Sequence, residues 1–252
     1  MLSLVGLGLS DEKDLTLKGI EIARSSDKVY IELYTGFWHG NLENLEKIVG
    51  KKIEVLKRKD LEDESRRIVE EARNGDVVLF VQGDPLVATT HSSLILEARR
   101  LKIKSRVVHN ASIVSAIAET GLHIYKFGQT VTIPFLEKTN GKLPQSVYEA
   151  ILENKNLGLH TLCLLDVVAE EKRYMMPRDA VRILLELEKA NNKKLLSVKE
   201  KIVFASELGG ENQEIKYVTL SGLIDSDACR VPSALIILGK LHFTEEEFLN
   251  LL

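Results

Sequence analysis

The first half of the chain alternates short apolar runs with amphipathic segments. Apolar or β-branched runs bounded by turn residues are typical of buried strands, and they predict strands at residues 2–9, 28–33, 76–81 and 106–109. Apolar residues at helical spacing predict helices around 15–23, 41–49, 62–74, 91–101 and 111–120. Strands that alternate with helices indicate βαβ units, so we expect a mostly parallel sheet.

The pattern changes near residue 134, where proline, asparagine and glycine cluster. Such clusters are typical of connections between elements, so a boundary at 132–136 is predicted, with an N-terminal domain at 1–133 and a C-terminal domain at 134–252. Beyond it we predict helices at 144–154 and 178–190 and strands at 160–165, 201–206, 215–220 and 234–239. The greater share of strands favours a mixed sheet. The predicted fold class is therefore α/β, with two α/β domains.

Composition and charge narrow the classes of function. The 252 residues carry 34 Lys+Arg against 37 Asp+Glu, a net charge of −3. Without a basic excess, nucleic acid is not an expected partner. No run approaches the ~18 apolar residues of a membrane-spanning helix, and the N-terminus lacks the basic segment of a signal peptide. We expect a cytoplasmic protein with no membrane partner.

Cysteines and metal-ligand motifs are sparse. Cys163 and Cys229 form no CxxC pair and lie in apolar surroundings, which favours a reducing compartment and buried, inert thiols. Without a cysteine cluster or an HExxH motif, no metal site is expected.

Two glycine turns are the first candidates for ligand binding. The turn at Gly6 and Gly8 follows the first strand, but Asp11 stands where the dinucleotide fingerprint needs a third glycine. Its acidic surroundings would repel phosphate and tolerate a cationic group. The turn Gly83-Asp84-Pro85 also follows a strand. Ligands of open α/β sheets bind at the carboxyl ends of strands, so the two turns are expected to line one cleft, although tight connections alone would also explain them.

Five stretches of the chain follow the order seen in one known family. They are VGLGLSDEKDLTLKG at 5–19, GDPLVATTH at 83–91, ASIVSAIAETGLHIYKFGQT at 111–130, GLHTLCLLD at 158–166 and LGKLH at 238–242. On these motifs the sequence resembles the diphthine synthases, within the tetrapyrrole-methylase-like class of methyltransferases. The resemblance implies a two-domain α/β fold, a homodimer, and S-adenosyl-L-methionine bound in a cleft between the domains and released as S-adenosyl-L-homocysteine.

The resemblance also implies a reaction and a protein substrate. The acceptor in that family is the amino nitrogen of a 3-carboxy-3-aminopropyl group on a histidine of translation elongation factor 2. Its methylation forms diphthine in diphthamide biosynthesis. Archaeal members add three methyl groups, and eukaryotic members are associated with a further methylation to diphthine methyl ester. The sequence leaves open which of these applies.

Cofactor contacts are carried over residue by residue. The resemblance implies contacts at Leu9, Asp84, Val87, Ser112, Ile113, Leu164, Ala205, Glu207 and Ser233. The segment 206–210, next to Ala205 and including Glu207, departs from the family pattern. No catalytic residue is assigned, and the group that removes protons is left open.

Further side chains near these motifs are candidates for substrate contacts. Asp84 is the candidate for holding the cofactor's amino group or the substrate ammonium. Four histidines are either scaffold or functional groups, three cations are candidates for the substrate carboxylate, and three aromatic rings are candidates for a quaternary ammonium. These are His91, His109, His123 and His160; Lys126, Arg173 and Arg178; and Tyr34, Phe37 and Trp38.

Two other classes of function compete with this interpretation. One is a methyltransferase of the same class that acts on a corrinoid or porphyrin precursor. The other is a nucleotide-binding module without enzymatic activity. Binding of S-adenosylmethionine separates the module from both enzymes, and the identity of the methylated acceptor separates the two enzymes.

Overall fold

The computed structural model describes residues 1–168, 171–226 and 230–252. The chain divides into two compact units, Met1–Ala116 and Ile117–Leu252. The predicted ranges 1–133 and 134–252 place the boundary later than this division. The reason is a short strand, Val131–Ile133, which pairs with a strand of the second unit although it precedes the turn residues that suggested the boundary.

The first unit is built on one parallel sheet. Its strands are β1 (Leu2–Gly6), β2 (Lys28–Glu32), β3 (Glu54–Leu56), β4 (Val77–Val81) and β5 (Ser105–Val108), in the spatial order β3-β2-β4-β1-β5. All described pairings between them are parallel. The predicted parallel sheet is thus confirmed, with β3 as an additional edge strand.

Helices connect the strands of this sheet. They are α1 (Leu17–Ser25), α2 (Leu42–Val49), α3 (Arg58–Glu62), α4 (Ser65–Glu71), α5 (Ser92–Arg100) and α6 (Ile113–Ala116). The side chain of Thr16 caps α1 by accepting a hydrogen bond from Gly19 N. Gly50 ends α2 in the left-handed conformation. The predicted helix at 111–120 is a single α-helical turn that continues as a 3₁₀ turn over Ile117–Thr120.

The second unit contains a mixed sheet. Its strands are β6 (Val131–Ile133), β7 (Thr161–Leu165), β10 (Lys201–Ser206), β11 (Glu214–Thr219) and β12 (Ser233–Ile237), in the order β11-β10-β12-β7-β6. The pair β6–β7 is parallel, and the other three pairs are antiparallel. A separate two-stranded sheet pairs β8 (Val167–Val168) with β9 (Arg173–Tyr174) in antiparallel orientation. The predicted mixed sheet is confirmed.

Among the described residues, four α-helices belong to the second unit, and the first three of them share a hydrophobic core with its sheet. They are α7 (Gln145–Asn156), α8 (Pro177–Asn191), α9 (Leu220–Ile224) and α10 (Phe243–Leu249). Cys163 lies in the core, and burial raises the pKa of its thiol to about 12, as expected for an inert thiol. Cys229 lies outside the described residues. Within the described ranges, no helix combines the length and apolar character that crossing a bilayer requires.

Candidate functional site

The two glycine turns of the first unit are bonded to each other. Gly83 N donates to Gly8 O at 2.9 Å, and Gly8 N donates to Gly83 O at 3.3 Å. The φ angle is 86° at Gly8 and 65° at Gly83, and residues with a Cβ adopt such positive φ angles only with strain. The turns after the adjacent strands β1 and β4 therefore lie side by side at the carboxyl edge of the sheet, as the sequence predicted.

This close approach is what requires glycine in the first turn. A Cβ on Gly6 would lie 2.5 Å from Gly83 O and 2.7 Å from Asn110 Cβ, and a Cβ on Gly8 would overlap Asp14 Cβ. The glycines thus serve backbone packing between three loops. This packing does not require a glycine at position 11, so the first turn lacks the third glycine of the dinucleotide fingerprint.

Asn110 ties the loop after β5 to the first turn. Its Nδ2 donates to Gly6 O at 2.9 Å and to Asp14 O at 3.0 Å. Asp14 in turn accepts from Ser10 N through Oδ2 at 2.7 Å. The loops after β1 and β5 consequently form one hydrogen-bonded network at the sheet edge.

Asp84 is the centre of this network. Its carboxylate is buried, and Oδ1 accepts from Leu86 N at 3.0 Å. Oδ2 accepts from His109 Nδ1 at 2.7 Å and from Asn110 N at 3.2 Å. A carboxylate offers about four acceptor positions, so one remains on Oδ1. Asp84 therefore joins the loops after β4 and β5, with capacity for one more donor.

The other predicted contacts of the first unit lie in these same loops. Leu9, Val87 and Ile113 are half-buried, and Ser112 is buried. A Cβ on Gly83 would lie 3.7 Å from Ser112 Cβ, which measures how closely the loops after β4 and β5 approach. The structure thus brings the five predicted residues of this unit to one edge.

The loop that follows β2 belongs to this edge as well. Gln82, directly after β4, donates from Nε2 to Phe37 O. Phe37 packs edge-on against His39 with ring centroids 4.6 Å apart, Trp38 is half-buried, and Tyr34 is buried. The three candidate aromatic rings are therefore attached to the same edge, and their role toward a quaternary ammonium stays a prediction.

The four predicted contacts of the second unit are neighbours in its sheet. Strand register pairs Leu164 with Ala234 and Ala234 with Ala205. Ser233 is paired with Ser206 in the same ladder, and Glu207 N donates to Pro232 O at 2.9 Å. The described positions place Leu164, Ala205, Glu207 and Ser233 together within this unit.

Two hydroxyl groups in this part of the sheet have no hydrogen-bond partner within residues 1–168, 171–226 and 230–252. Ser206 Oγ and Ser233 Oγ are buried, and neither forms a hydrogen bond to the described residues. A buried hydroxyl without a partner costs free energy and is uncommon in folded proteins. The pair therefore fits a site that receives polar groups of a ligand. Ser206 was not among the predicted contacts. It is identified here by its pairing with Ser233 in the sheet, which only the structure shows.

The remaining candidate histidines differ in surroundings. His91 is buried, and burial lowers its pKa to about 4. His160 is fully buried, with both ring nitrogens engaged by Gly239 N and Glu245. His123 donates from its backbone to Glu245 at 2.8 Å. His91 is explained by burial, and His123 and His160 by their hydrogen bonds to Glu245. His109, in contrast, presents an exposed ring beside the glycine turns.

The candidate cations are engaged to different degrees. Lys126 contacts Glu245, and Arg173 pairs with Glu137. Arg178 is exposed on α8. The structure therefore gives Lys126 and Arg173 structural partners, and their role toward a substrate carboxylate stays a prediction.

Comparisons with known proteins agree along the whole chain. The model of the tetrapyrrole (corrin/porphyrin) methylases matches residues 1–224. Diphthine synthase of Methanocaldococcus jannaschii is 41% identical over 255 residues, which cover 100% of this chain and 98% of that protein. An Arabidopsis thaliana protein named "Probable diphthine methyl ester synthase" is 40% identical over 271 residues, covering 99% of this chain and 97% of the relative.

A solved structure agrees with the sequence relatives. A crystal structure of diphthine synthase superposes with a TM-score of 0.88 at 36% identity, covering 99% of this chain and 94% of the other. The confirmed sheets, the bonded glycine turns and these full-length matches lead to one conclusion. The chain belongs to the tetrapyrrole methylase family, in the group formed by the diphthine synthases, and is a methyltransferase.

Proposed function

We propose that this methyltransferase forms diphthine. It transfers methyl groups from S-adenosyl-L-methionine to the amino nitrogen of the 3-carboxy-3-aminopropyl-histidine of translation elongation factor 2, and S-adenosyl-L-homocysteine is released. The observation that carries the proposal is the full-length match to relatives named for this activity. We further propose that the chain acts as a homodimer in the cytoplasm, the compartment of its proposed substrate.

The edge of the first unit suits a cationic methyl donor. Asp11, Asp14 and Asp84 lie in its loops, and negative charge favours a sulfonium or an ammonium group. The last acceptor position on Asp84 Oδ1 can take one N–H of the donor or of the substrate. Leu9, Val87, Ser112 and Ile113 are the proposed contacts of the donor in this unit.

The second unit supplies the remaining proposed contacts. Leu164 and Ala205 offer apolar and small side chains, and Glu207 and Ser233 offer polar ones. The unpartnered hydroxyls of Ser206 and Ser233 fit a ligand that brings its own hydrogen-bonding groups. We therefore propose Ser206 as an additional contact.

The residues of the chain would act mainly by holding and aligning reactants. When bound, the donor supplies a methyl carbon that a sulfonium leaving group already activates. The loops therefore need to bind it, keep water away and align the acceptor nitrogen with that carbon. The acceptor nitrogen must be neutral when it reacts, because an ammonium has no lone pair.

Mass spectrometry of the elongation factor tests this proposal. The factor carrying 3-carboxy-3-aminopropyl-histidine is incubated with the chain and S-adenosylmethionine labelled in the methyl group. We expect labelled methyl groups on that histidine, and none on a factor that lacks the modification. Methyl transfer to uroporphyrinogen or a precorrin in place of the factor would contradict the proposal and favour a tetrapyrrole substrate.

A further inference from the structure

We infer that His109 is the general base that takes the proton from the acceptor ammonium, and that Asp84 positions it. The inference rests on the proposed function and adds the group that the family resemblance left open. It comes from one pair of side chains at the carboxyl edge of the first sheet.

The hydrogen bond between the two side chains fixes the state of the imidazole. His109 Nδ1 lies 2.7 Å from Asp84 Oδ2, and the Asp84 side chain is 7% exposed whereas that of His109 is 69% exposed. An ionised carboxylate only accepts hydrogen bonds, so Nδ1 carries the hydrogen and Nε2 keeps its lone pair. A buried carboxylate that holds an imidazole in this tautomer is the arrangement by which hydrolases orient a histidine base.

The surroundings leave Nε2 available. Within the described part of the chain, no group forms a hydrogen bond to Nε2 of His109. The charged side chain that faces the ring is Asp84, and Asp14 is linked to the adjacent Asn110 only through its backbone carbonyl. The exposed nitrogen can therefore meet an incoming amine.

The position of the pair connects it to the proposed donor contacts. His109 directly precedes Asn110, whose amide bonds to the first glycine turn, and lies three residues before Ser112. Asp84 lies three residues before Val87 and directly after Gly83. The base and the proposed donor contacts thus belong to one hydrogen-bonded set of loops.

The chemistry balances for each methyl group. His109 Nε2 takes one proton from the acceptor ammonium, and the freed lone pair on nitrogen forms the new bond to the methyl carbon. The bond between that carbon and sulfur breaks, and its electron pair stays on sulfur, which becomes a neutral thioether. The imidazolium then passes its proton to water, which the exposure of the ring permits. The trimethylated nitrogen has no N–H left, so the cycle ends there.

Kinetics of two variants test the role of His109. His109→Gln keeps a polar side chain without a base, and His109→Ala opens space for an added base. We expect kcat to fall about 10²-fold near neutral pH, the usual scale of general-base catalysis, with unchanged affinity for S-adenosylmethionine. The loss should shrink above pH ~8, where an α-amino type acceptor loses its proton to solvent. Added imidazole should restore part of the activity of His109→Ala.

Two further variants serve as comparison. Lys104→Gln changes an exposed side chain directly before β5, at the opposite end of the strand that His109 follows, and should keep the wild-type kcat. Asp84→Asn presents an amide N–H to His109 Nδ1, which favours the tautomer with the hydrogen on Nε2. It should lower kcat in the same pH range without rescue by imidazole.

The possible outcomes separate the inference from the proposed function. Wild-type kcat and pH profile in His109→Gln would overturn the inference. So would a loss of donor affinity without rescue by imidazole in His109→Ala, since that result indicates a purely structural role. A wild-type chain that methylates no elongation factor would instead overturn the proposed function, and this inference with it.

Discussion

The two units each contain a carboxylate bonded to an imidazole, in opposite surroundings. In the first unit, Asp84 and His109 are 2.7 Å apart and the ring is 69% exposed. In the second, Glu245 and His160 are 3.2 Å apart and both side chains are fully buried. The same two chemical groups therefore form a pair with a solvent-exposed imidazole in the first unit and a fully buried pair in the second.

In the buried pair, both carboxylate oxygens of Glu245 and both ring nitrogens of His160 form hydrogen bonds within the second unit. Glu245 accepts from His242 N at 2.7 Å, from His123 N at 2.8 Å and from Lys126 Nζ. Burial alone would raise the pKa of Glu245, but these hydrogen bonds outweigh it and lower that pKa to about 2. The comparison teaches that a free ring nitrogen, and not the carboxylate–imidazole contact itself, distinguishes a candidate site from a scaffold.

The largest expected effect comes from breaking the buried pair. Glu245→Gln removes the charge that partners Lys126 and leaves one oxygen for two backbone N–H groups. Removing one member of a buried ion pair costs about 3–5 kcal/mol, so we expect a loss of that size in the free energy of unfolding at pH 7. Urea denaturation measures it, and Glu247→Gln on the exposed face of α10 is the control, with a change below ~0.5 kcal/mol.

The effect of Glu245 also has a defined pH range. Its pKa is about 2 in the folded chain against an ordinary 4.5, so its contribution is complete above pH ~4.5 and is lost as the pH falls toward 2. The wild-type should therefore lose about 3 kcal/mol more than Glu245→Gln across this range. If the free energy of unfolding fell with pH equally in the wild type and in Glu245→Gln, the ion-pair account would be contradicted.

A third histidine, His91, extends the comparison because its buried ring has no carboxylate partner among the described residues. His91 has a pKa of about 4, lowered from 6.5 by burial. Between these values the unfolded chain binds more protons, so stability falls as the pH drops from ~6.5 to ~4, by about 3 kcal/mol. His91→Gln should remove this slope from the pH dependence of unfolding. An unchanged slope would show that other groups cause it.

A smaller effect is expected from the glycine turn beside the open pair. Gly8→Ala adds a Cβ that overlaps Asp14 at a φ of 86°, and strain together with overpacking should cost about 2–3 kcal/mol. Gly50→Ala has a φ of 72° with no atom within 4 Å, so it isolates the backbone cost of about 1 kcal/mol. Methyl transfer should fall only in Gly8→Ala. Equal losses in the free energy of unfolding for Gly8→Ala and Gly50→Ala would contradict the packing argument.

The smallest effect on stability is expected at the unpartnered hydroxyls. Ser206→Ala and Ser233→Ala remove groups that form no hydrogen bond to the described residues, so unfolding should change by less than ~1 kcal/mol. If these hydroxyls bind the donor, its affinity should fall about five- to tenfold. Calorimetry measures the affinity, and wild-type affinity in both variants would remove this pair from the proposed site.

Strands and helices could be predicted from the sequence where their burial produces a clear pattern of apolar residues. The run at Val77–Val81 is apolar throughout because both faces of a central parallel strand are covered. The edge strand Glu54–Leu56 escaped prediction because two of its three residues are exposed. The helix Phe243–Leu249 escaped it because its N-terminus is capped by His242, a residue type that does not signal a cap in sequence.

The site was predictable only in part. The meeting of two glycine turns followed from the rule for parallel sheets, because β1 and β4 each end in such a turn. The bond between Asp84 and His109 did not, since it joins loops from β4 and β5, which flank β1 on opposite sides. The facing hydroxyls of Ser206 and Ser233 depend on an antiparallel register that no local pattern specifies.

A crystal structure with bound S-adenosyl-L-homocysteine tests the central claim most directly. The claim is that the loops at the carboxyl edge of the first sheet hold the methyl donor beside His109. We predict contacts of the ligand with Leu9, Val87 and Ser112, and its sulfur on the side of the loops where His109 Nε2 is exposed. A ligand bound away from these loops would contradict the account.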